Sequence, residues 1–480
     1  FPHCRLPFLL VLLTGITSLL TTGQIVAASA PAKAPENGAQ PGRANAARQH
    51  RPNIVFIMAD DLGWADVAFH DGNTPTPFLD ELAASSLELS QHYVAPVCSP
   101  TRAGLLTGRC WSRFNVTNPQ NNRALPWDTL TLPAALKSAG YDTCLTGKWH
   151  LGSLPEEGPN HFGFDHSYGS LAGGISPWNH RYKQGPWTVT WHRNEDLIEE
   201  PGHVTDLLTQ EAVNWIGSRG EAPFFLYVPF TAVHLPLKEP QEWLDRVPAA
   251  ITGDVPRHYS ACLLHLDDAV RQIVDAVDRK GCRENTLIVF TSDNGGSTVE
   301  NNDLKYPDDN CPNGRLVGNN QPFRGRKGDP YEGGTRVPTI VSWPGRIGVG
   351  KSPVPTHITD WMPTFCDLAG FKSTGFKSNR DKDPRWDGMS LAKLLLDGEQ
   401  PPERSLYSVA PGSRSRTLRH GRWKLISFKD KPDERHELYD LMDDPAESKN
   451  LAASHPDQLA TMVARLKNAA ASDGDAAVRN

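Results

Sequence analysis

The chain has 480 residues, with 49 Lys plus Arg against 55 Asp plus Glu, a formal net charge of −6, and 38% hydrophobic and 22% charged residues. This composition excludes a wholly disordered, collagen-like or coiled-coil chain. The acidic balance argues against nucleic acid or an anionic membrane surface as the main partner, since both need a basic face, so an anionic substrate has to be met by a local cluster of cations.

Arg5, the apolar run over residues 6–20 and the small residues Ala27, Ala28 and Ala30 form a secretory-signal pattern. It predicts cleavage near Ala28 or Ala30 and an exported protein, periplasmic or secreted. Pro7, Thr14 and Gly15 interrupt a run already short for the roughly 20 apolar residues of a membrane span, so no stable span is expected. Residues 31–50, rich in Ala, Pro, Gly and Asn, read as a flexible linker.

Residues 53–58, 224–228 and 287–290 are short continuous apolar runs, the mark of strands buried on both faces of a parallel sheet. Each is followed by polar residues: Asp60-Asp61, His234 and Asp293-Asn294. Helical patterns fill residues 76–84, 131–139, 205–216 and 259–278, with Gly140 and Gly281 as stops. The alternation predicts an α/β fold with a large, mostly parallel sheet flanked by helices, whose ligands bind beyond the carboxyl ends of the strands. Another strand is expected at 141–145, placing Lys148 and His150 on one face of its continuation. Frequent Pro and Gly over 303–355 read as long loops around 325–336. From Ser405 onward short alternating stretches and a helix from Pro456 to about Ala471 predict a smaller α+β subdomain. The expected division is 1–30 signal, 31–50 linker, 51–375 catalytic domain and 385–480 C-terminal subdomain.

Eight cysteines are present, Cys4, Cys98, Cys110, Cys144, Cys262, Cys282, Cys311 and Cys366. Loss of Cys4 with the signal leaves an odd number, so at least one is unpaired or chemically special, while the lack of any C-x-x-C spacing argues against structural zinc. Asp60-Asp61 and Asp293-Asn294 offer only hard oxygen donors, which suit Ca²⁺ or Mg²⁺; as isolated motifs they also fit a helix cap and a turn. Cys98 would open a helix with Pro100 in its first turn, where backbone N–H groups favour an anion, and Arg102 could fork onto the same anion. Arg324, Arg326 and Lys327 concentrate cations in an acidic chain.

The run from Cys98 to Arg109, Cys-Ser-Pro-Thr-Arg-Ala-Gly-Leu-Leu-Thr-Gly-Arg, resembles the C-x-P-x-R…T-G-R signature of the type I sulfatases. Asp60-Asp61, Gly147-Lys148-Trp149-His150, His234, Asp293-Asn294-Gly295-Gly296, Lys327 and the stretch from Tyr331 to Pro338 stand around it in the family's order. The resemblance implies an alkaline-phosphatase-like fold and sulfate-ester hydrolysis. It implies that a formylglycine-generating enzyme converts Cys98 to Cα-formylglycine, the nucleophile and a metal contact, and that Asp60, Asp61, Asp293 and Asn294 hold Ca²⁺, with Mg²⁺ as the alternative. By the same resemblance Arg102 orients the nucleophile, Lys148 and Lys327 hold sulfate, His234 protonates the leaving alcohol and His150 acts as base. The run from Asn320 to Lys327 looks like the arylsulfatase B branch, which acts on N-acetylgalactosamine 4-sulfate. Aromatic and polar residues of the 167–191 stretch, Trp178, His180 and Trp187 among them, are candidate contacts for a sulfated carbohydrate. The competing readings are a phosphodiesterase or phosphonate hydrolase of the same superfamily and a non-catalytic glycan-binding protein.

Overall fold

The computed structural model describes residues 51–478 except 184, 302–305, 307–309, 372–384 and 430–433. The expected signal and linker lie outside the described residues.

Sixteen strands are defined among the described residues: β1 Asn53–Ala59, β2 Leu87–Leu89, β3 His92–Tyr93, β4 Asp142–Lys148, β5 His166–Ser170, β6 Trp191–Arg193, β7 Asp196–Leu197, β8 Phe224–Pro229, β9 Thr286–Ser292, β10 Ile340–Ser342, β11 Gly350–Ser352, β12 Thr356–His357, β13 Ser405–Val409, β14 Ser415–His420, β15 Trp423–Phe428 and β16 Arg435–Asp440. Ten of them form one mixed sheet in the order β11-β2-β10-β9-β1-β8-β4-β5-β6-β7. The central run β9-β1-β8-β4-β5 is parallel throughout, with Ile54 level with Phe225 on one side and Leu287 on the other. β6 and β10 run antiparallel to β5 and β9.

The sequence of β1 explains why helices cover both faces. Alternate strand residues point to opposite sides. Ile54, Phe56 and Met58 enter one core with the helices Leu132–Ser138 and Trp361–Ala369, whereas Val55, Ile57 and Ala59 enter a second core with Val204–Ser218 and Asp254–Arg279. A continuous apolar run is what a strand between two such layers requires.

The C-terminal sheet is an antiparallel meander, β13-β14-β15-β16, followed by the helix Pro456–Ala470. Its Leu418, Leu425 and Leu438 join Met462 and Leu466 in the first core.

Two local expectations change. The 303–355 stretch contains β10 and β11 as well as loops; Pro338 and Pro344 bracket a Thr339–Ser342 run too short to read as a strand until it finds β9 and β2 beside it. β4 continues through Lys148 and stops there, and His150 takes a left-handed φ of 57°, so Lys148 and His150 do not share a strand face. Trp149 and His150 donate their N–H groups to the carbonyls of Ser170 and Leu171, 2.8 and 3.0 Å away, so cross-strand pairing fixes this turn of the chain.

Candidate active site

Adjacent parallel strands end on the same edge, so whatever follows β9, β1, β8 and β4 is brought together. Asp293 and Asn294 follow β9, Asp60 and Asp61 follow β1, His234 lies a few residues past β8, and Lys148 closes β4. Asp61 has φ 64°, which lets consecutive carboxylates find different partners.

Asp60 Oδ2 accepts from Lys148 Nζ at 2.5 Å, with both side chains fully buried. Lys327 Nζ lies 2.7 and 2.9 Å from the two oxygens of Asp61. Asn294 Nδ2 donates to Asp61 Oδ1 at 2.8 Å, and the Asp61 N–H donates to Asp293 Oδ1 at 3.2 Å. Three carboxylates are thereby joined to two lysines across four segments of the chain.

Cys98 opens the helix Cys98–Thr107, all ten residues of which are buried. Thr101 Oγ1 donates to the Asp293 carbonyl at 2.6 Å, pinning the first turn to the end of β9. Arg102 donates to Asp293 Oδ2 at 2.7 Å and to the Lys148 carbonyl at 2.5 Å. One guanidinium thus bridges β9 and β4 while its helix presents Cys98 between them. Burial pushes the Cys98 thiol upward, against the pull of Lys148 and Lys327. A buried thiol held protonated is a poor nucleophile in that form.

His150 and His234 border the network. Burial, with Lys148 and Arg102 adding to it, holds His150 well below the usual imidazole range. Its Nδ1 is buried without a hydrogen-bond partner. Burial and Lys327 do the same to His234, against the pull of Asp61. His234 Nδ1 lies 2.5 Å from the Leu235 carbonyl, which places the ring proton on Nδ1 and leaves Nε2 facing Asp61 Oδ2 at 3.9 Å.

The oxygen donors fit a hard divalent cation. Asp60 Oδ1 and Asn294 Oδ1 are both buried with no hydrogen-bond partner, an arrangement costly to leave unfilled. Ligand atoms of Asp60, Asp61 and His234 lie within 4.8 Å of one another, as do those of Asp60, Cys98 and Asp293. Burial and neighbouring Asp293 push the Asp60 carboxyl upward, to about 8. Burial would raise Asp61 as well, yet Lys327 and His234 outweigh it and hold that carboxyl near 2. A dication would relieve the crowding of negative charge on Asp60.

Trp178 and His180 take no part in this network. Trp178 Nε1 donates to the Lys238 carbonyl at 2.9 Å, and His180 is buried, stacked on Trp191 with ring centroids 4.6 Å apart and Nε2 3.0 Å from the Gly202 carbonyl. His180 lines a separate cavity of about 390 Å³ with Arg181, Glu199 and Glu200. Sequence reasoning also missed Gly173 and Gly174. A Cβ on Gly173 would fall 2.2 Å from His150 Nε2, and one on Gly174 would fall 3.1 Å from His234 Cε1. The signal was the adjacent glycine pair itself, a mark of close approach by a neighbouring group.

A family model described as Sulfatase matches residues 52–371, and one described as N-sulphoglucosamine sulphohydrolase, C-terminal, matches residues 327–472. Arylsulfatase J of Mus musculus is 32% identical over 77% of this chain, which spans 60% of that relative's length. N-acetylgalactosamine-6-sulfatase of Mus musculus is 33% identical over 72% of this chain and 67% of its own length. The crystal structure of Ps i-CgsB in complex with k-i-k-neocarrahexaose is 30% identical, with a TM-score of 0.76, covering 90% of this chain and 95% of that one.

Proposed function

Because the chain belongs to the sulfatase family, we propose that it hydrolyses sulfate esters of a carbohydrate, using Cα-formylglycine made from Cys98 together with Ca²⁺ or, alternatively, Mg²⁺. The observation that carries this reading is the placement of Cys98 at a helix start between two lysines and a set of hard oxygen donors, where the thiol as such is held protonated. Asp60, Asp61, Asp293 and Asn294 would hold the cation. Bound there, the cation draws charge from a sulfate oxygen, and formylglycine supplies the nucleophile that a neutral thiol does not.

The chain's own side chains do the rest. Lys148 and Lys327, already held by Asp60 and Asp61, bind sulfate oxygens from fixed positions at no further ordering cost. Arg102 orients residue 98 through the first helical turn and balances Asp293. His234, neutral in the free protein, gains proton affinity as the anionic ester arrives and delivers a proton to the leaving alcohol. His150, kept neutral by burial among cations, accepts a proton at Nδ1.

Cys98 is 1% exposed, so a formylglycine-generating enzyme would act on it before the fold closes. No helix among the described residues is long and apolar enough to cross a membrane. The signal pattern of residues 1–30 would direct the chain to the periplasm or outside the cell. The relative named N-acetylgalactosamine-6-sulfatase and the structure in complex with k-i-k-neocarrahexaose favour a sulfated carbohydrate as substrate.

The test pairs peptide mass spectrometry across Cys98 with turnover of an aryl sulfate, an aryl phosphate, and 4- and 6-sulfated N-acetylgalactosamine. Formylglycine at residue 98 with sulfate release is the expected result. Preferential phosphate-ester turnover, or binding without turnover in fully modified protein, would overturn the reading.

A further inference from the structure

Ser99, next to Cys98 in the first turn of the helix Cys98–Thr107, is fully buried and has no part in the reaction proposed above. A serine at a helix start commonly turns its hydroxyl onto its own backbone. This one reaches two other segments instead. Ser99 Oγ donates to the His150 carbonyl at 2.9 Å and accepts the Gln120 N–H at 2.9 Å. Its single proton is thus spent on the segment that follows β4, and a lone pair on the loop that carries Gln120 and Asn121. Those two segments pair further along. The Ala124 N–H donates to the Leu151 carbonyl at 2.9 Å, the Ser153 N–H to the Asn121 carbonyl at 2.8 Å, and Ser153 Oγ to Asn121 Oδ1 at 3.1 Å.

The residue that Ser99 grips is one whose conformation has to be enforced. His150 has a left-handed φ of 57°, a region that a residue with a Cβ keeps only where its surroundings over-determine it. Its N–H is taken by the Leu171 carbonyl and its own carbonyl by Ser99, so two different elements fix its backbone at both ends. The ring is not anchored in the same way. Nδ1 is buried without a hydrogen-bond partner, and Gly173 closes the Nε2 side, where a Cβ would fall 2.2 Å away. Where the imidazole points therefore follows from how the backbone beneath it is held.

We propose that Ser99 is a positioning residue for His150: its hydroxyl ties the helix that presents residue 98 to the backbone that aims the proton-accepting ring. Nucleophile and base are then set relative to each other by one buried hydrogen bond, although they lie on different elements of the fold. The role of His150 as base rests on the sulfatase reading, whereas the tie itself does not. In the C-x-P-x-R signature Ser99 occupies the first open position, so the motif assigns it nothing. Ser99→Ala keeps every signature residue and the volume of the site, and takes a hydrogen bond from the His150 carbonyl and from the Gln120 N–H.

The experiment compares Ser99→Ala with Thr364→Val, a control for the loss of a buried hydroxyl. Thr364 Oγ1, in the helix Trp361–Ala369, also donates to one carbonyl, of Asp360 at 2.6 Å, and accepts one N–H, of Leu391 at 2.8 Å. Peptide mass spectrometry gives the formylglycine content at residue 98, aryl sulfate kinetics are expressed per formylglycine, and a crystal structure is determined for Ser99→Ala and for the parent. Both variants should melt somewhat below the parent and keep its formylglycine content. Only Ser99→Ala should lose about 10²-fold in kcat, with KM changed by no more than about twofold because Lys148 and Lys327 are untouched. Its crystal structure should show the His150 ring displaced by about 1 Å or its φ outside the left-handed region. An unmoved His150 would overturn the proposal, and so would an equal loss of kcat in Thr364→Val. A fully converted parent without sulfate-ester turnover would remove the sulfatase reading instead, and the two crystal structures would still decide the tie.

Discussion

Lys148 Nζ meets Asp60 Oδ2 at 2.5 Å with neither side chain exposed, and Arg102 stands 3.9 Å from the same oxygen while bonding Asp293 at 2.7 Å. The two cations hold two carboxylates from neighbouring strands in register, so the pair is both a support for the donor set and a preset anchor for an anion. Removing one member leaves the other buried without compensation, which costs about 3–5 kcal/mol. Lys148→Ala should therefore lose both functions. Sulfate-ester turnover is expected to fall about 10²- to 10³-fold, and urea unfolding to show a loss on the order of 3 kcal/mol. Unchanged turnover would remove Lys148 from the sulfate-binding role.

Cys98→Ala deletes one sulfur from the first turn of a helix whose position is set by Thr101 and Arg102. Circular dichroism and thermal midpoint should stay near those of the parent, while turnover drops about 10⁴-fold or more. Retained activity in this variant would end the formylglycine proposal.

Gly173→Ala introduces a Cβ 2.2 Å from His150 Nε2, and the ring has to move because Gly173 itself is held in the loop after β5. A displacement of about 1 Å costs on the order of 10²-fold in turnover. The kinetic loss should fall on kcat with little change in thermal midpoint. A fully active variant would mean that the His150 ring position does not matter.

Chelation should abolish turnover by emptying the Asp60, Asp61, Asp293 and Asn294 donors, and added Ca²⁺ should restore it. Asp293→Asn removes the negative charge that pairs with Arg102 and leaves one oxygen where there were two, so it should remain inactive at any calcium concentration that restores the parent. Recovery in Asp293→Asn would show that this carboxylate is not needed.

Acid should destabilise the fold through two histidines given no part in the reaction. Burial holds His92 and His357 near 3, well below the usual imidazole range. His92 Nδ1 is 2.9 Å from Thr356 Oγ1 while its Nε2 accepts from Trp361 Nε1, so the ring is neutral in the fold. The unfolded chain binds these protons first, so stability is intact above about pH 6.5 and is lost as pH falls toward 3, by about 1.4 kcal/mol per pH unit for each histidine. Urea titrations between pH 7 and 4.5 should give a shallower slope for His92→Gln than for the parent. Equal slopes would mean that His92 is not the source.

Much of this protein was written in local sequence. The runs at 53–58, 224–228 and 287–290 specify buried parallel strands because a strand between two helical layers must be apolar on both faces, and Asp60, Asp61, Asp293 and Asn294 were legible because they interrupt such runs where ligands bind. The Cys98 to Arg109 motif carried the family because its chemistry is confined to one helix start. Tertiary structure alone decided the rest. β10 emerges only when three residues find partners on β9 and β2, and the departure of His150 from the line of Lys148 is set by pairing with Ser170 and Leu171. His180, chosen from residue type, instead packs on Trp191. The tie from Ser99 to His150 joins residues 51 positions apart, and no periodicity marks it. Local sequence fixes elements whose stabilising contacts are periodic and nearby, whereas a site made of single residues from distant segments exists only once the backbone between them is folded.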